Sequence, residues 1–456
     1  VFGARGYSAP PRGGEDELSS LIYQIGRGPA HGEHFEPSAD QLAEVIEVVE
    51  ATLPRVPFKQ EPTDDFLISE TERFLGGSAV NWEGNPGYPF ATAYKTNRDV
   101  VAGAYVVLVA CIVDVLKLWR DIPHESVKQM TPLQMFTLGL YWVVRMFIKN
   151  EPHSATKRDE GRWRLVMSES LVVSAAYAVL FQDYNNVVVN NHSELFIKTG
   201  MGHSQQGIRE TWEWAQRQFR WTPKLAADDV SMWDLSAPYW LCMAETEVVI
   251  RVRKASPSWA NMMRNADHGQ CSSLLATSDG KLLVKIHPGT VISGGRRTAS
   301  GNSAKRAILQ QVKDLAVGAE RSALCIAAMG DDCFETAVTG GVQALIGRYA
   351  KCGYQLTDVE EFGPGESFEF CSHRYYSRDV AIPTSWKRCL YKLINKPFCY
   401  EDFQVYMYEM RHMADARSPH ALSAIVDFIA WLGWLPTSVS GQEDIEEQRG
   451  SSVQNT

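Results

Sequence analysis

The chain has 456 residues, 45% of them hydrophobic, a formal charge of -9 and a pI near 5.7. That length exceeds what one hydrophobic core usually organises, so subdomains are expected, and the acidic balance argues against a simple electrostatic coat for nucleic acid. Nine cysteines without a Cys-x2-Cys pair speak against a zinc ribbon or a disulfide framework and fit a reducing compartment.

In chain order, the opening stretch carries Pro10-Pro11, Gly13-Gly14 and Pro29 and reads as extended. Val1 is not a natural first residue, which points to a processed or truncated start. Pro37-Ser38-Ala39-Asp40-Gln41-Leu42-Ala43-Glu44 predicts a capped helix through Ala51, and the pattern stays mostly helical to about Pro223. Val100 to Val113 is an uncharged apolar run of fourteen residues. A membrane-spanning helix needs roughly 20, so a buried helix and no transmembrane segment are expected. Between positions 145 and 166, six basic residues (Arg145, Lys149, Lys157, Arg158, Arg162, Arg164) oppose three acidic ones (Glu151, Asp159, Glu160), a local surplus in an acidic chain. Leu171 to Gln182 predicts a further helix. His268 and Cys271 offer two zinc ligands without a partner pair and read as an ordinary loop. Residues 379 to about 440 carry Trp, Tyr and Leu at helical spacing, a core pattern more than a base-stacking platform. Gly441 to Thr456 is polar and expected to be disordered.

The chemistry concentrates in three segments. Gly330-Asp331-Asp332 lies between the apolar runs Ala323–Met329 and Cys333-Phe334 and predicts a hairpin tip with two carboxylates. Turn geometry alone favours Gly and Asp there. A second acidic pair upstream, Asp229 and Asp234, changes the balance, because carboxylates from two strand ends can converge on one pair of ions. Phosphoryl and nucleotidyl transfer need that convergence, with two magnesium ions roughly 4 Å apart on the attacking and leaving oxygens. Asp229 and Asp331 are the predicted metal ligands, Asp332 an auxiliary, and Asp228 a solvated neighbour. Between the two clusters, Ser293-Gly294-Gly295-Arg296-Arg297-Thr298-Ala299-Ser300-Gly301-Asn302 is a glycine-rich loop running into a helix through Val312. Gly294 and Gly295 allow close backbone approach, and Thr298 and Asn302, four apart, share a helix face that would present a hydroxyl and an amide to a sugar. A Walker loop is excluded, since Asn302-Ser303 follows Gly301 where Lys-Ser/Thr is required.

These segments, in this order, resemble motifs A, B and C of the palm of viral RNA-dependent RNA polymerases: Asp229 with Asp234, then Ser293, Gly294, Thr298 and Asn302, then Gly330-Asp331-Asp332. The resemblance implies metal binding by Asp229, Asp331 and Asp332, recognition of the ribose by Asp234, Ser293, Thr298 and Asn302, and template contact near Gly294. Phe147 to His153 with Lys157 and Gly161 to Val166 looks like the basic finger loop, motif F, which implies that Lys149, Lys157, Arg162 and Arg164 bind the triphosphate. Phe368-Glu369-Phe370-Cys371-Ser372-His373 resembles motif E of the sobemovirus and polerovirus polymerases, a hairpin that holds the primer strand through Cys371 and Ser372. Asn85-Pro86-Gly87-Tyr88-Pro89 resembles motif G, with Gly87 on the template path; a plain Pro-Gly turn is the other reading. The resemblance also implies a motif D lysine, which is missing after Gly353-Tyr354; Lys351, just ahead of that turn, is the candidate substitute general acid, and a surface lysine on a helix end is the preferred reading.

The implied fold is α+β, a right-hand polymerase with an antiparallel palm sheet flanked by helices. The expected divisions are an N-terminal extension with fingers (1–221, basic loop 145–166), a palm (222–378) with a finger insertion at about 246–288, a small helical thumb (379–440) and the tail (441–456). The implied activity is RNA-templated RNA synthesis for a positive-strand RNA virus, with Mg2+, for which Mn2+ substitutes. The implied partners are RNA template and product, nucleoside triphosphates and a genome-linked protein primer. The implied location is the host cytoplasm at virus-induced replication complexes. A reverse transcriptase is disfavoured by Gly330 and by the Asp234 and Asn302 pair, and a catalytically silent RNA-binding scaffold by the presence of every metal ligand.

Overall fold

The computed structural model describes residues 7–26, 34–394 and 399–412. The last part of the expected thumb and the expected disordered tail lie outside the described residues.

The architecture is α+β and centres on a four-stranded antiparallel sheet in the order Leu356–Phe362, Leu225–Val230, Asp332–Thr336, Ile326–Met329. Helices Thr298–Leu315 and Gly341–Lys351 cover one face of this sheet. The opposite face is covered away from the strand ends by Trp214, of helix Gln205–Gln218, and by the hairpin Phe368–Phe370 and His373–Ser377. Phe334 meets Trp214, Phe362, Phe368 and Phe370 there at ring separations of 5.1 to 5.9 Å. Phe334 is fully buried, so the aromatic layer excludes water from that face and leaves only its end open.

A second sheet joins Leu165–Ser168, Val144–Ile148, Leu274–Ala276 and Leu282–Val284 in that order. The basic stretch is the connection between its first two strands, which run antiparallel from Arg145 opposite Ser168 to Ile148 opposite Leu165. Around both sheets lie long helices. Ser38 caps Ala39–Ala51 through a reciprocal bond pair with Gln41, as the local pattern predicts. The helix expected to stop at Gln182 continues to Asn190, because Tyr184, Asn185 and Val188 extend its buried face beyond the apolar run.

The apolar run Val100–Val113 belongs to a longer helix, Asn97–Asp121, of 25 residues, started by a Thr96 capping box. By length and composition this helix passes for a membrane span, so the expectation from the fourteen-residue run alone needs correction. Its Val100, Leu108, Ile112, Val115, Leu116 and Trp119 are buried against helices Asp64–Leu75, Leu171–Asn190 and Pro257–Cys271. Val106, on the other side, is 79% exposed, so the helix is buried along a stripe and not all round. His268 and Cys271 also differ from expectation: they sit in helix Pro257–Cys271, not in a loop, and His268 Nδ1 lies 2.9 Å from the Tyr239 hydroxyl.

Candidate active site

The acidic residues take their places from strand alternation. Asp228 pairs in register with Cys333 across the central strands, so the next step along brings Asp229 toward Asp332. Neighbouring residues on a strand point to opposite faces, which separates Asp228 from Asp229. Met329 pairs with Asp332, leaving Gly330 and Asp331 as a two-residue turn, and Gly330 adopts a φ of +72° that disfavours a side chain. The Gly330 amide donates to Ser303 Oγ at 3.0 Å, which ties the turn to the helix carrying Asn302.

Asp229, Asp331, Asp332 and Asp234 converge at the open end of the sheet. Burial, with the charges of Asp331 and Asp332 added, pushes the Asp229 carboxyl up to about 8. Burial and Asp331 push Asp332 up to about 7 and Asp234 up to about 7. Carboxylates so hard to ionise together have too little countercharge, and hard divalent cations would supply it. Asp234 is carried by the short helix Trp233–Ser236, entered through Met232 at a φ of +56°, and accepts from Asn302 Nδ2 at 3.4 Å. Asn302 is 3% exposed and its Oδ1 has no hydrogen-bond partner, an acceptor held ready for a hydroxyl donor.

Other predicted residues have partners inside the protein. The Thr298 hydroxyl lies 2.6 Å from the Ile292 carbonyl and 2.8 Å from that of Gly295, so it braces the glycine loop. Ser293 Oγ accepts from the Met167 amide at 3.0 Å, and Gly294 donates to the Met167 carbonyl at 2.8 Å. A Cβ on Gly294 would lie 2.6 Å from that carbonyl, and one on Gly87 would lie 2.8 Å from Ser170 Cα. Both glycines therefore permit contact with the same segment, 167–170. The Cys371-Ser372 turn has φ values of +52° and +57°; burial and then the Asp332 and Asp331 charges push the Cys371 thiol well up, which sets the turn beside the acidic cluster.

In the basic connection, Arg164 donates to Glu151 at 2.8 Å and Lys149 lies 3.2 Å from the same carboxylate, while Arg162 pairs with Glu160 at 2.8 Å. The Arg164 charge also favours ionisation of Asp234, so the connection faces the acidic cluster. Lys351 is exposed at the end of helix Gly341–Lys351.

Asp228 requires a correction. It is 5% exposed, accepts from Arg306 Nη2 and contacts Cys333, so it is no solvated neighbour. Burial pushes its carboxyl up and Arg306 opposes this; because a guanidinium holds its proton, the pair is ionic. Lys313 lies 2.7 Å from Glu335, which also accepts from the Tyr349 hydroxyl, and Arg348 lies 2.5 Å from Asp314. Arg297, beside the glycine loop, is buried against Glu245 and Asp267 and lies over the Phe181 ring. Sequence reasoning missed Ser303, Arg306, Lys313 and Glu335. The recurrence of Arg306 and Lys313 one helix face apart was the available signal. Asp228, Cys333 and Glu335 lie close enough to share an ion, but Arg306 and Lys313 already neutralise that group, and the uncompensated cluster on the opposite face is the better cation site.

The strand-turn-strand acid pair, the facing aspartate strand and the glycine loop leading into a helix define a right-hand nucleic-acid polymerase. A solved Sicinivirus 3Dpol RNA-dependent RNA polymerase has the same fold, with a TM-score of 0.65 at 13% identity over 95% of this chain and 89% of that one. Residues 86–225 and 238–386 match the family of viral RNA-directed RNA-polymerases, and the chain belongs to it. It is similar to the replicase polyprotein P2AB of Southern cowpea mosaic virus, 29% identical over 85% of this chain and 40% of that protein. Protein P1-P2 of Turnip yellows virus is 31% identical over 85% of this chain and 37% of its own length. An RNA-directed RNA polymerase of Mushroom bacilliform virus is 25% identical over 73% of this chain and 80% of that protein. The chain thus spans less than half the length of the Southern cowpea mosaic virus and Turnip yellows virus relatives. Family membership implies a divalent cation, and the acidic cluster fits one.

Proposed function

We propose that this chain copies an RNA template into RNA by nucleotidyl transfer during replication of a positive-strand virus. One observation carries the reading: among the described residues Asp229, Asp331 and Asp332 gather without an ion-pair partner, while the buried carboxylates of Asp228 and Glu335 behind them are paired with Arg306 and Lys313. Asp229, Asp331 and Asp332 would hold two magnesium ions, which would supply activation of the 3'-hydroxyl of the growing strand and charge stabilisation of the departing pyrophosphate. The protein's share is positioning. Asp229 and Asp331 fix the reacting end, Arg164 and Lys149 exchange Glu151 for phosphate oxygens, and Asn302 with Asp234 receives the ribose hydroxyls. In this reading the palm is 222–378, interrupted by a finger insertion at about 246–288, with the rest of the fingers before it and the thumb after it. On the family resemblance, the primer is a small genome-linked protein and the setting is a replication complex in the host cytoplasm.

The test is incorporation of labelled ribonucleotide on a homopolymer RNA template with magnesium, with and without an oligonucleotide primer. Template-dependent incorporation that disappears in Asp331→Asn is expected. Equal use of deoxyribonucleotides would move the reading to a reverse transcriptase, and template binding without incorporation would move it to a silent scaffold.

A further inference from the structure

Helix Trp386–Ile394, which follows the palm hairpin, reaches back to the basic connection of the fingers. Tyr391 on this helix meets Tyr7 at a ring separation of 6.3 Å, and Tyr7 pairs in register with Ser154 at the start of that connection. Arg388, in the first turn of the helix, thereby enters the electrostatics of the finger residues. Burial opposes ionisation of Glu151, yet the charges of Arg164, Lys149 and Arg388 hold its carboxyl below the usual range. Burial and the charges of Arg164, Arg162 and Arg388 push the Lys157 ammonium below its ordinary value, with Glu151 in opposition.

The charges do not balance. Glu151 already carries Arg164 and Lys149, and Arg162 has Glu160. Among the described residues, Lys157 and Arg388 are left without an ion-pair partner, the Arg388 charge acts on Lys157, and Arg388 Nε is buried without a hydrogen-bond partner. Like charges held together with an unspent donor cost free energy unless an anion joins them. The side chains of Lys149 and Arg164 are 45% and 49% exposed, so the cluster opens to solvent on the side of the acidic site.

We propose that Arg388 is a phosphate ligand, and that the polyphosphate site consists of finger residues Lys157 and Arg164 together with this residue from beyond the palm. The ligand is the triphosphate of the incoming nucleotide or the pyrophosphate leaving it, which share the chemistry a guanidinium fork recognises. Docking of helix Trp386–Ile394 against the fingers then becomes a condition for tight nucleotide binding. The nucleotide part of this inference rests on the polymerase reading; the anion site does not.

The experiment compares wild type, Arg388→Ala and Arg388→Lys. KM and kcat are measured for each of the four ribonucleotides on saturating primed template, with the inhibition constant of pyrophosphate and the Kd of template RNA. Arg388→Ala is expected to raise KM about tenfold for all four nucleotides alike, with Arg388→Lys recovering part of the loss and RNA affinity within about twofold of wild type. A rise in KM alone places Arg388 on the incoming nucleotide, and a rise in the pyrophosphate constant alone places it on the product. No change in either, or RNA affinity falling by the same factor, overturns the proposal. Calorimetric titration of inorganic tripolyphosphate with magnesium, without RNA, separates the two readings. If wild type incorporates no nucleotide but binds tripolyphosphate in a way that Arg388→Ala weakens, the polymerase reading fails and the anion site stands; equal binding by both proteins removes the site.

Discussion

Asp228 and Asp229 are neighbours on one strand and live in opposite electrostatic worlds. Asp228 faces the helix-covered side, where Arg306 and Lys313 answer the carboxylates of Asp228 and Glu335. Asp229 faces the open end with Asp331, Asp332 and Asp234, where burial raises the cost of charge and, among the described residues, no cation pairs directly with them; Arg306, Arg164 and Lys305 act on them only from a distance. The comparison teaches that a buried acid in this protein is either paired permanently, and then serves the fold, or left to be paired by something that arrives, and then serves the chemistry.

The difference can be broken from the acidic side first. Asp229→Asn or Asp331→Asn is expected to lower kcat by several orders of magnitude, because a ligand that stabilises transition-state charge is lost. Folding should be unharmed, with a melting temperature equal to or above that of wild type, since repulsion is relieved. More than about a tenth of wild-type incorporation in both variants would remove the metal assignment.

The paired side should respond in stability. Arg306→Met leaves Asp228 buried without its partner and is expected to cost about 3 to 5 kcal/mol in urea denaturation. Adding Asp228→Asn to it should recover part of that loss. A cost below about 1 kcal/mol for the single variant would show that the two faces do not differ as described.

A finer contrast concerns Asn302, which stands at the edge of the acidic cluster with one unspent acceptor. Asn302→Ala is expected to reduce the preference for ATP over dATP, as the ratio of kcat/KM, by roughly tenfold, about 1.4 kcal/mol. Thr298→Ala should change it less, because the Thr298 hydroxyl is engaged by the loop backbone. An unchanged ratio in Asn302→Ala would take the sugar from this residue.

The smallest effect expected is on pH. Carboxyls at about 8, 7 and 7 for Asp229, Asp234 and Asp332 lie above the unfolded value of roughly 3.9. A folded-state value raised in this way gives stability that is full at low pH and is lost as pH rises through 7 to 8. In chelator the melting temperature should therefore fall by about 2 to 4 °C between pH 6 and pH 9, and magnesium should abolish the fall while releasing protons. Equal melting temperatures across that range in chelator would contradict the absence of countercharge.

The hairpin tip at Gly330-Asp331, the Ser38 cap and the helix after the glycine loop were all legible, because each is written in residues close along the chain: a turn residue between apolar runs, a capping pair three apart, a helical period. The length of helix Asn97–Asp121 was misjudged for the same reason, since polar residues such as Asn97, Arg98 and Asp99 continue a helix that the apolar count does not reach. Asp228 could not be placed by local pattern. Its burial depends on Arg306, 78 positions away, and on which strand face the helix Thr298–Leu315 covers.

The order and spacing of Asp229, Asp234, Ser293, Thr298, Asn302 and Gly330-Asp331-Asp332 by themselves determined the family and the residues proposed to carry its chemistry, because acid pairs at strand ends and a glycine loop before a helix are local devices. The tertiary structure alone decided which carboxylates are paired with a cation, that Thr298 and Ser293 brace the loop, and that the Arg388 charge reaches Lys157. Charge compensation is a property of three-dimensional neighbours, and strand alternation places adjacent residues among different ones.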